Sequence, residues 1–262
     1  MTLIIGIKCS DGVVVGADGA ATLGSVHTHT VKQPVKKLSI LKENVIVGVS
    51  GPVGLAQRIR NAIEELWSTV DIRKRKPVDA MVTIRHEIWK HIKVEMENAA
   101  VVRNVVGPSA AASAVTYTLV ALPANDKPVL LQFDQQGAPE EATTDLPCVA
   151  IGIGQPIADP FLAFLRRTFW PGNQQLTVAD GIFATLWTLI HSIETAPSNV
   201  AEPKQLVVLD KRDGKWRARE LTDVDLEEHL QAIGEAEKAL RGFRESLQPV
   251  AADTPVPEPP KE

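Results

Sequence analysis

The chain has 262 residues, 44% hydrophobic and 23% charged, which gives enough apolar content for one large core and favours one domain over two. A formal net charge of -4 excludes a global basic field for nucleic acid, and the longest basic cluster, Arg73-Lys74-Arg75-Lys76, reads as solvated surface. Cys9 and Cys148 lie in separate apolar runs and read as small buried hydrophobes, which excludes a disulfide framework or cysteine-ligated zinc; with no basic leader and no run long enough to span a bilayer, a cytoplasmic protein is expected.

Short β-type runs open the chain at residues 3–9, 13–18, 37–41 and 45–50. Ser10-Asp11-Gly12 is a hairpin signal between the first two, because glycine tolerates positive φ and aspartate bonds its own backbone. Lys42-Glu43-Asn44 plays the same part for the second pair. After Gly51-Pro52 the period becomes helical, with Leu55, Ile59, Ala62, Ile63 and Leu66 on one face, and a second helix follows from about Val78. Strand-like runs return at 114–121, 129–133 and 148–151, with Asn125-Asp126-Lys127-Pro128 as a turn.

Two more helices are predicted, near 157–169 and over 178–193, the latter behind Thr177 and Asp180 at capping-box spacing. Closing strands at 205–209 and 216–219 flank the turn Lys211-Arg212-Asp213-Gly214. A last helix, about 222–247, is capped by Thr222 with Asp225 and carries a stripe of Leu226, Leu230, Ile233, Leu240 and Phe243 that should dock on something. The expected organisation is a single domain over 1–247 and a flexible, Pro-rich acidic tail over 248–262. This order of elements suits two stacked sheets covered by helices on both outer faces.

The chemistry gathers near the start. If a methionine aminopeptidase removes Met1, Thr2 ends the chain with its hydroxyl beside its own α-amine, whose ordinary pKa of roughly 7.7–8.0 lets it accept a proton near neutral pH. A nearby cation favours the neutral, proton-accepting amine. Lys37 is the candidate, and a buried ammonium needs a carboxylate, which Asp18 can supply from the end of the second strand.

The stretch Thr2-Leu3-Ile4-Ile5-Gly6-Ile7-Lys8, then Asp11-Gly12-Val13-Val14-Val15-Gly16-Ala17-Asp18-Gly19-Ala20-Ala21-Thr22-Leu23-Gly24, resembles the opening of the proteasome β-type N-terminal nucleophile hydrolase family. Val35-Lys36-Lys37-Leu38 is similar to the segment bearing the family's active-site lysine, and Val47-Gly48-Val49-Ser50-Gly51 to its glycine loop. The Asp-Gly-Ala-Ala-Thr-Leu-Gly run is nearest the bacterial HslV branch. Three extra residues between Thr22 and Lys37 and the longer C-terminus fit the betaproteobacterial proteasome homologues better.

The resemblance implies an α+β fold, a four-layer αββα sandwich of two mainly antiparallel sheets. It implies Thr2 as nucleophile and amine base, Asp18 and Lys37 as its tuning pair, and the Gly51 N–H in the oxyanion hole, a donor worth roughly 3–4 kcal/mol of barrier. A peptide or unfolded substrate would lie extended between Ala21-Thr22 and Gly51, with a side-chain pocket near Val49. Also implied are no cofactor or metal and a homo-oligomeric double ring of six or seven subunits; an ATP-dependent unfoldase partner stays open.

The chain departs from the family at Gly152-Ile153-Gly154, where a Gly-Ser-Gly hydroxyl is usual, and after the fourth helix, where Ser198 is a guess at the usual supporting hydroxyl. His27 and His29 lack a third metal ligand and read as solvated loop. Trp67, Trp89, Trp170 and Trp187 fall in helical stretches and read as core or subunit contacts. Two rival readings stay open, a catalytically inactive assembly protein of the same fold and a small-molecule amidohydrolase using the same threonine chemistry.

Overall fold

The computed structural model describes residues 2–25, 28–107, 114–172 and 174–247. Expectations about Met1, His27 and the 248–262 tail fall outside these residues. In chain order the strands are β1 (Ile4–Lys8), β2 (Gly12–Ala17), β3 (Ala20–Ser25), β4 (Thr28–Pro34), β5 (Leu38–Leu41), β6 (Val45–Ser50), β7 (Tyr117–Ala124), β8 (Lys127–Phe133), β9 (Pro139–Glu141), β10 (Cys148–Ile151), β11 (Gln205–Arg212) and β12 (Lys215–Glu220). The helices are α1 (Val53–Thr69), α2 (Pro77–Val106), α3 (Gln155–Phe169), α4 (Val178–Thr195) and α5 (Asp223–Ser246), with a 3-10 turn at Ile72–Lys74.

One antiparallel sheet has the order β10-β1-β2-β11-β12 and a second β5-β6-β7-β8-β9, while β3 and β4 pair as a separate hairpin. Alternation along the strands assembles the layers, since successive side chains point to opposite faces. In the first sheet Ile5, Ile7, Val14, Leu206 and Val208 pack with α3, α4 and the start of α5. Their neighbours Ile4, Val13, Val15, Ala17, Val207 and Leu209 meet Leu38, Ile46, Leu119, Ala121 and Leu130 of the second sheet. That sheet's other face, with Val45, Val47, Val120, Leu122, Leu131 and Phe133, is covered by α1 and α2. The result is the αββα sandwich.

Turn chemistry sets the registers. Asn125 and Asp126 both have positive φ, 49° and 58°, the signature of a two-residue type I′ hairpin, so β7 continues through Pro123 to Ala124 instead of ending at Ala121 as predicted. Asp213 and Gly214 do the same between β11 and β12. The predicted capping boxes of α4 and α5 are both formed, Thr177 with Asp180 and Thr222 with Asp225.

Three expectations need correction. The β3–β4 hairpin, the three-residue β9 and the 3-10 turn are absent from the sequence reading, because none shows a clean apolar period. Cys148 is only half-buried, although its surroundings still push the thiol up to about 11 by desolvation; Cys9 is buried and shifted further in the same direction. Along α5 only Leu226 and Ile233 are buried, whereas Leu230, Leu240 and Phe243 stay exposed, Phe243 by 65%.

Candidate active site

Because β1 pairs with β2 with Ile4 opposite Ala17, the chain entering β1 runs beside the residues leaving β2. Leu3 N–H donates to Asp18 Oδ1 at 2.8 Å, and Asp18 N–H donates to the Leu3 carbonyl at 3.1 Å. The other carboxylate oxygen accepts from Ala20 N–H at 3.4 Å and Ala201 N–H at 3.3 Å. Lys37 Nζ closes the arrangement, 2.5 Å from Asp18 Oδ1, and the two side chains are 6% and 0% exposed. An ion pair this deep is tolerated only when further hydrogen bonds satisfy the charges, which the three backbone donors do for Asp18.

Lys37 is delivered by a segment tied at both ends. Val35 N–H donates to the Gly19 carbonyl at 2.8 Å, and the amide of Gln205 grips Leu38 from both sides. Its Oε1 accepts from Leu38 N–H at 2.9 Å and its Nε2 donates to the Leu38 carbonyl at 3.1 Å. Gln205 opens β11 opposite Ala17, so it fastens the edge strand β5 to the first sheet one residue past the lysine. Sequence reasoning missed it. The signal was parity: Gln205 shares its face with Val207 and Leu209, which point between the sheets, so a polar side chain there needs buried partners. Gln205→Ala is expected to lower unfolding stability by about 1–3 kcal/mol, the cost of leaving a buried backbone group unsatisfied. A urea-denaturation midpoint equal to wild type would contradict this.

The loop between β10 and α3 closes over Thr2 from the other side. Gly154 N–H donates to the Thr2 carbonyl at 3.3 Å. Gly152 has φ of 99°, and a Cβ there would lie 2.2 Å from the Thr2 carbonyl oxygen and 3.1 Å from Ser50 Oγ. Between these glycines Ile153 is 53% exposed and brings no hydroxyl to the site; the Ser50 hydroxyl borders the same spot. Gly51 has φ of 157°, with Thr116 Oγ1 only 2.7 Å from where a Cβ would stand. Buried Thr116, also missed, donates from that hydroxyl to the Ser50 carbonyl at 3.2 Å and so fixes the backbone entering Gly51.

These residues meet at a cavity of about 230 Å³ that Thr2, Lys37, Gly51 and Val49 all line, together with residues of β5, β6 and α1. Thr2, Asp18, Lys37, Gly51 and Val49 are thus brought together. Ala21 and Thr22 fall on β3, just past the Ala20 N–H that Asp18 accepts. Ser198 is exposed in the turn after α4 and is not among the described residues lining the cavity. From that corner it is Ala201 that reaches the site, through Asp18 and through its carbonyl, which accepts from Gly19 N–H at 2.9 Å.

Comparison with known proteins finds likeness in sequence and in fold. The family model described as Proteasome subunit matches residues 2–182. A proteasome subunit beta from Methanobrevibacter smithii is 26% identical over 144 residues, which span 54% of this chain and 59% of that protein. Among solved structures, Anbu (ancestral beta-subunit) from Yersinia bercovieri has a TM-score of 0.69 at 14% identity, covering 95% of this chain and 99% of its own. An Anbu (Gly-1) mutant from Hyphomicrobium sp. strain MC1 gives 0.68 at 18%, with 95% and 99% covered. A structure described as the helical assembly of the Anbu complex from Pseudomonas aeruginosa gives 0.68 at 17%, with 99% and 98% covered. At such identities these structures speak for the fold alone.

Proposed function

We propose that this chain, which belongs to the proteasome subunit family, is a β-type threonine peptidase subunit acting through Thr2 once Met1 is removed. One observation carries the reading: the buried Lys37–Asp18 pair, whose lysine lines the same cavity as Thr2. Replacing a buried ion pair by apolar residues is often neutral or stabilising, so its retention favours a chemical role over an inactive scaffold.

The Thr2 α-amine takes the proton from Oγ as the oxygen attacks the substrate carbonyl carbon. The carbonyl oxygen becomes an oxyanion stabilised by Gly51 N–H, and Lys37 keeps the amine neutral by charge repulsion. Collapse breaks the C–N bond, and the departing amine takes the proton back. Water then attacks the acyl ester, loses its proton to the α-amine, and releases the acid and free Thr2. The substrate is a peptide or unfolded chain paired along β3.

The working form is a homo-oligomer that shelters the site. A double ring of six or seven subunits is the form proposed for it, and electron microscopy separates that from a helix like the one described for the Pseudomonas relative. No helix among the described residues is long and apolar enough to cross a membrane. The reading places the protein in the cytoplasm; casein turnover with and without an ATP-driven unfoldase decides whether such a partner feeds it.

Fluorogenic peptides and unfolded casein test the reading. Wild type is expected to cleave them, and Thr2→Ala to lose turnover by about 10³-fold or more, as removal of an enzyme's nucleophile does. Equal turnover by Thr2→Ala would overturn the assignment.

A further inference from the structure

The cavity beside Thr2 lies between the β5–β6 edge of the second sheet and α1. Strand parity puts Ser39, Val47 and Val49 on its floor, and Val53, Ala56, Gln57 and Arg60 form the helical wall at i, i+3, i+4 and i+7. Since α1 begins just past Gly51, Arg60 sits about 10 Å along the helix from Val53, away from the reacting carbonyl and at the distal end of the cavity. The apolar part of the lining is valine and alanine, Val35, Val47, Val49, Val53 and Ala56.

The charges around this space are uneven. Lys37 is paired with Asp18, Lys36 with Glu220 at 2.7 Å, and Arg58, the neighbour of Arg60 on α1, with Glu95 at 2.5 Å. Arg60 is half-buried, and the only bond found for it among the described residues is a long one, 3.4 Å from Nη1 to Ser39 Oγ. No aspartate or glutamate is among the described residues that line the cavity. A guanidinium has five N–H donors in a fork that matches a carboxylate. Here it stands in a slot lined by Val47, Val49, Val53 and Ala56, with the hydroxyls of Thr2 and Ser39 and the Gln57 amide as neutral polar groups.

We infer that this cavity selects a substrate side chain bearing a carboxylate, with Arg60 as its counter-ion. The inference rests on the peptidase reading above for its connection to cleavage. A glutamate side chain threads its methylenes past Val49 and Ala56 and brings its carboxylate to Arg60. An apolar side chain of similar length takes water from the guanidinium without replacing it, and a lysine is repelled. Arg60 remains partly solvated, so salt weakens the preference.

Two measurements on the full chain test this. Three otherwise identical fluorogenic peptides, with Glu, Leu or Lys preceding the cleaved bond, are compared by kcat/KM. The same sequences as labelled, uncleaved peptides are titrated by anisotropy into the Thr2→Ala protein. Glu is expected to lead Leu by about tenfold or more in both, with Lys last, the gap shrinking from 50 mM to 500 mM salt. Arg60→Gln is expected to erase the lead, and Arg60→Glu to invert the order of Glu and Lys.

Cleavage that favours Leu or Lys overturns the pocket and leaves the peptidase reading standing. Binding that favours Glu with no cleavage by wild type supports the pocket and sinks the peptidase reading. Binding without discrimination, no binding of any peptide, or a Glu preference unchanged in both Arg60 variants overturns the pocket.

Discussion

Lys37→Met is expected to abolish peptide turnover while leaving a protein that still folds, less stable than wild type by about 3 kcal/mol, the low end of the range for breaking a buried pair. Methionine fills the lysine's volume but leaves the fully buried Asp18 carboxylate without its cation. The low end applies because Leu3, Ala20 and Ala201 N–H groups still donate to that carboxylate. Adding Asp18→Asn should restore most of the stability, since neither buried charge then remains, and should restore none of the activity. Urea denaturation and peptide assays on the two single variants and the double variant separate folding from chemistry. Turnover by Lys37→Met within a few-fold of wild type would contradict the role given to the ammonium.

Gly152→Ala is the second large effect. The added methyl would stand 2.2 Å from the Thr2 carbonyl oxygen and 2.9 Å from its carbon, on a backbone with φ of 99°. Something must move, and what it touches is the residue bearing the nucleophile. The dihedral strain alone costs about 1–3 kcal/mol. A displacement of about 1 Å at a reacting group costs on the order of 10² in rate, so kcat should fall at least that far. Gly214→Ala supplies the control, because Gly214 has φ of 74° in the β11–β12 turn and a Cβ there meets nothing within 4 Å. It should lose stability by a similar dihedral term and keep full activity. If both variants retain wild-type kcat, the loop at Gly152 does not position Thr2.

Where local chemistry decides the structure, the residues announce it. The β1–β2 hairpin, the capping boxes of α4 and α5, and the switch from strand to helix period at Gly51-Pro52 are set by side chains within a few positions of one another. Asp18 and Lys37 are legible because one hairpin and one short crossover bring them together, and chemistry requires the pairing.

What escaped around Asp18 and Leu38 is non-local. Gln205 meets Leu38 across 167 positions of sequence and Ala201 meets Asp18 across 183. No periodicity encodes such a bond, although Gln205 on an inward-facing strand position was a clue. Arg60 carries no signal of its own in the sequence, and only the absence of an acid among the described residues of the cavity wall gives it meaning. The α5 stripe had the right period, but α4 covers only its N-terminal part, and period cannot report where a partner ends.

The peptidase reading requires Thr2 to present a hydroxyl and a free α-amine beside the Lys37 ammonium. Intact mass spectrometry before and after treatment with a peptide epoxyketone, which reacts with both groups at once, tests it most directly. A chain lacking Met1 that gains one inhibitor, mapped to Thr2 and lost in Thr2→Ala and Lys37→Met, is the expected result. A chain that keeps Met1 and takes up no inhibitor would contradict it.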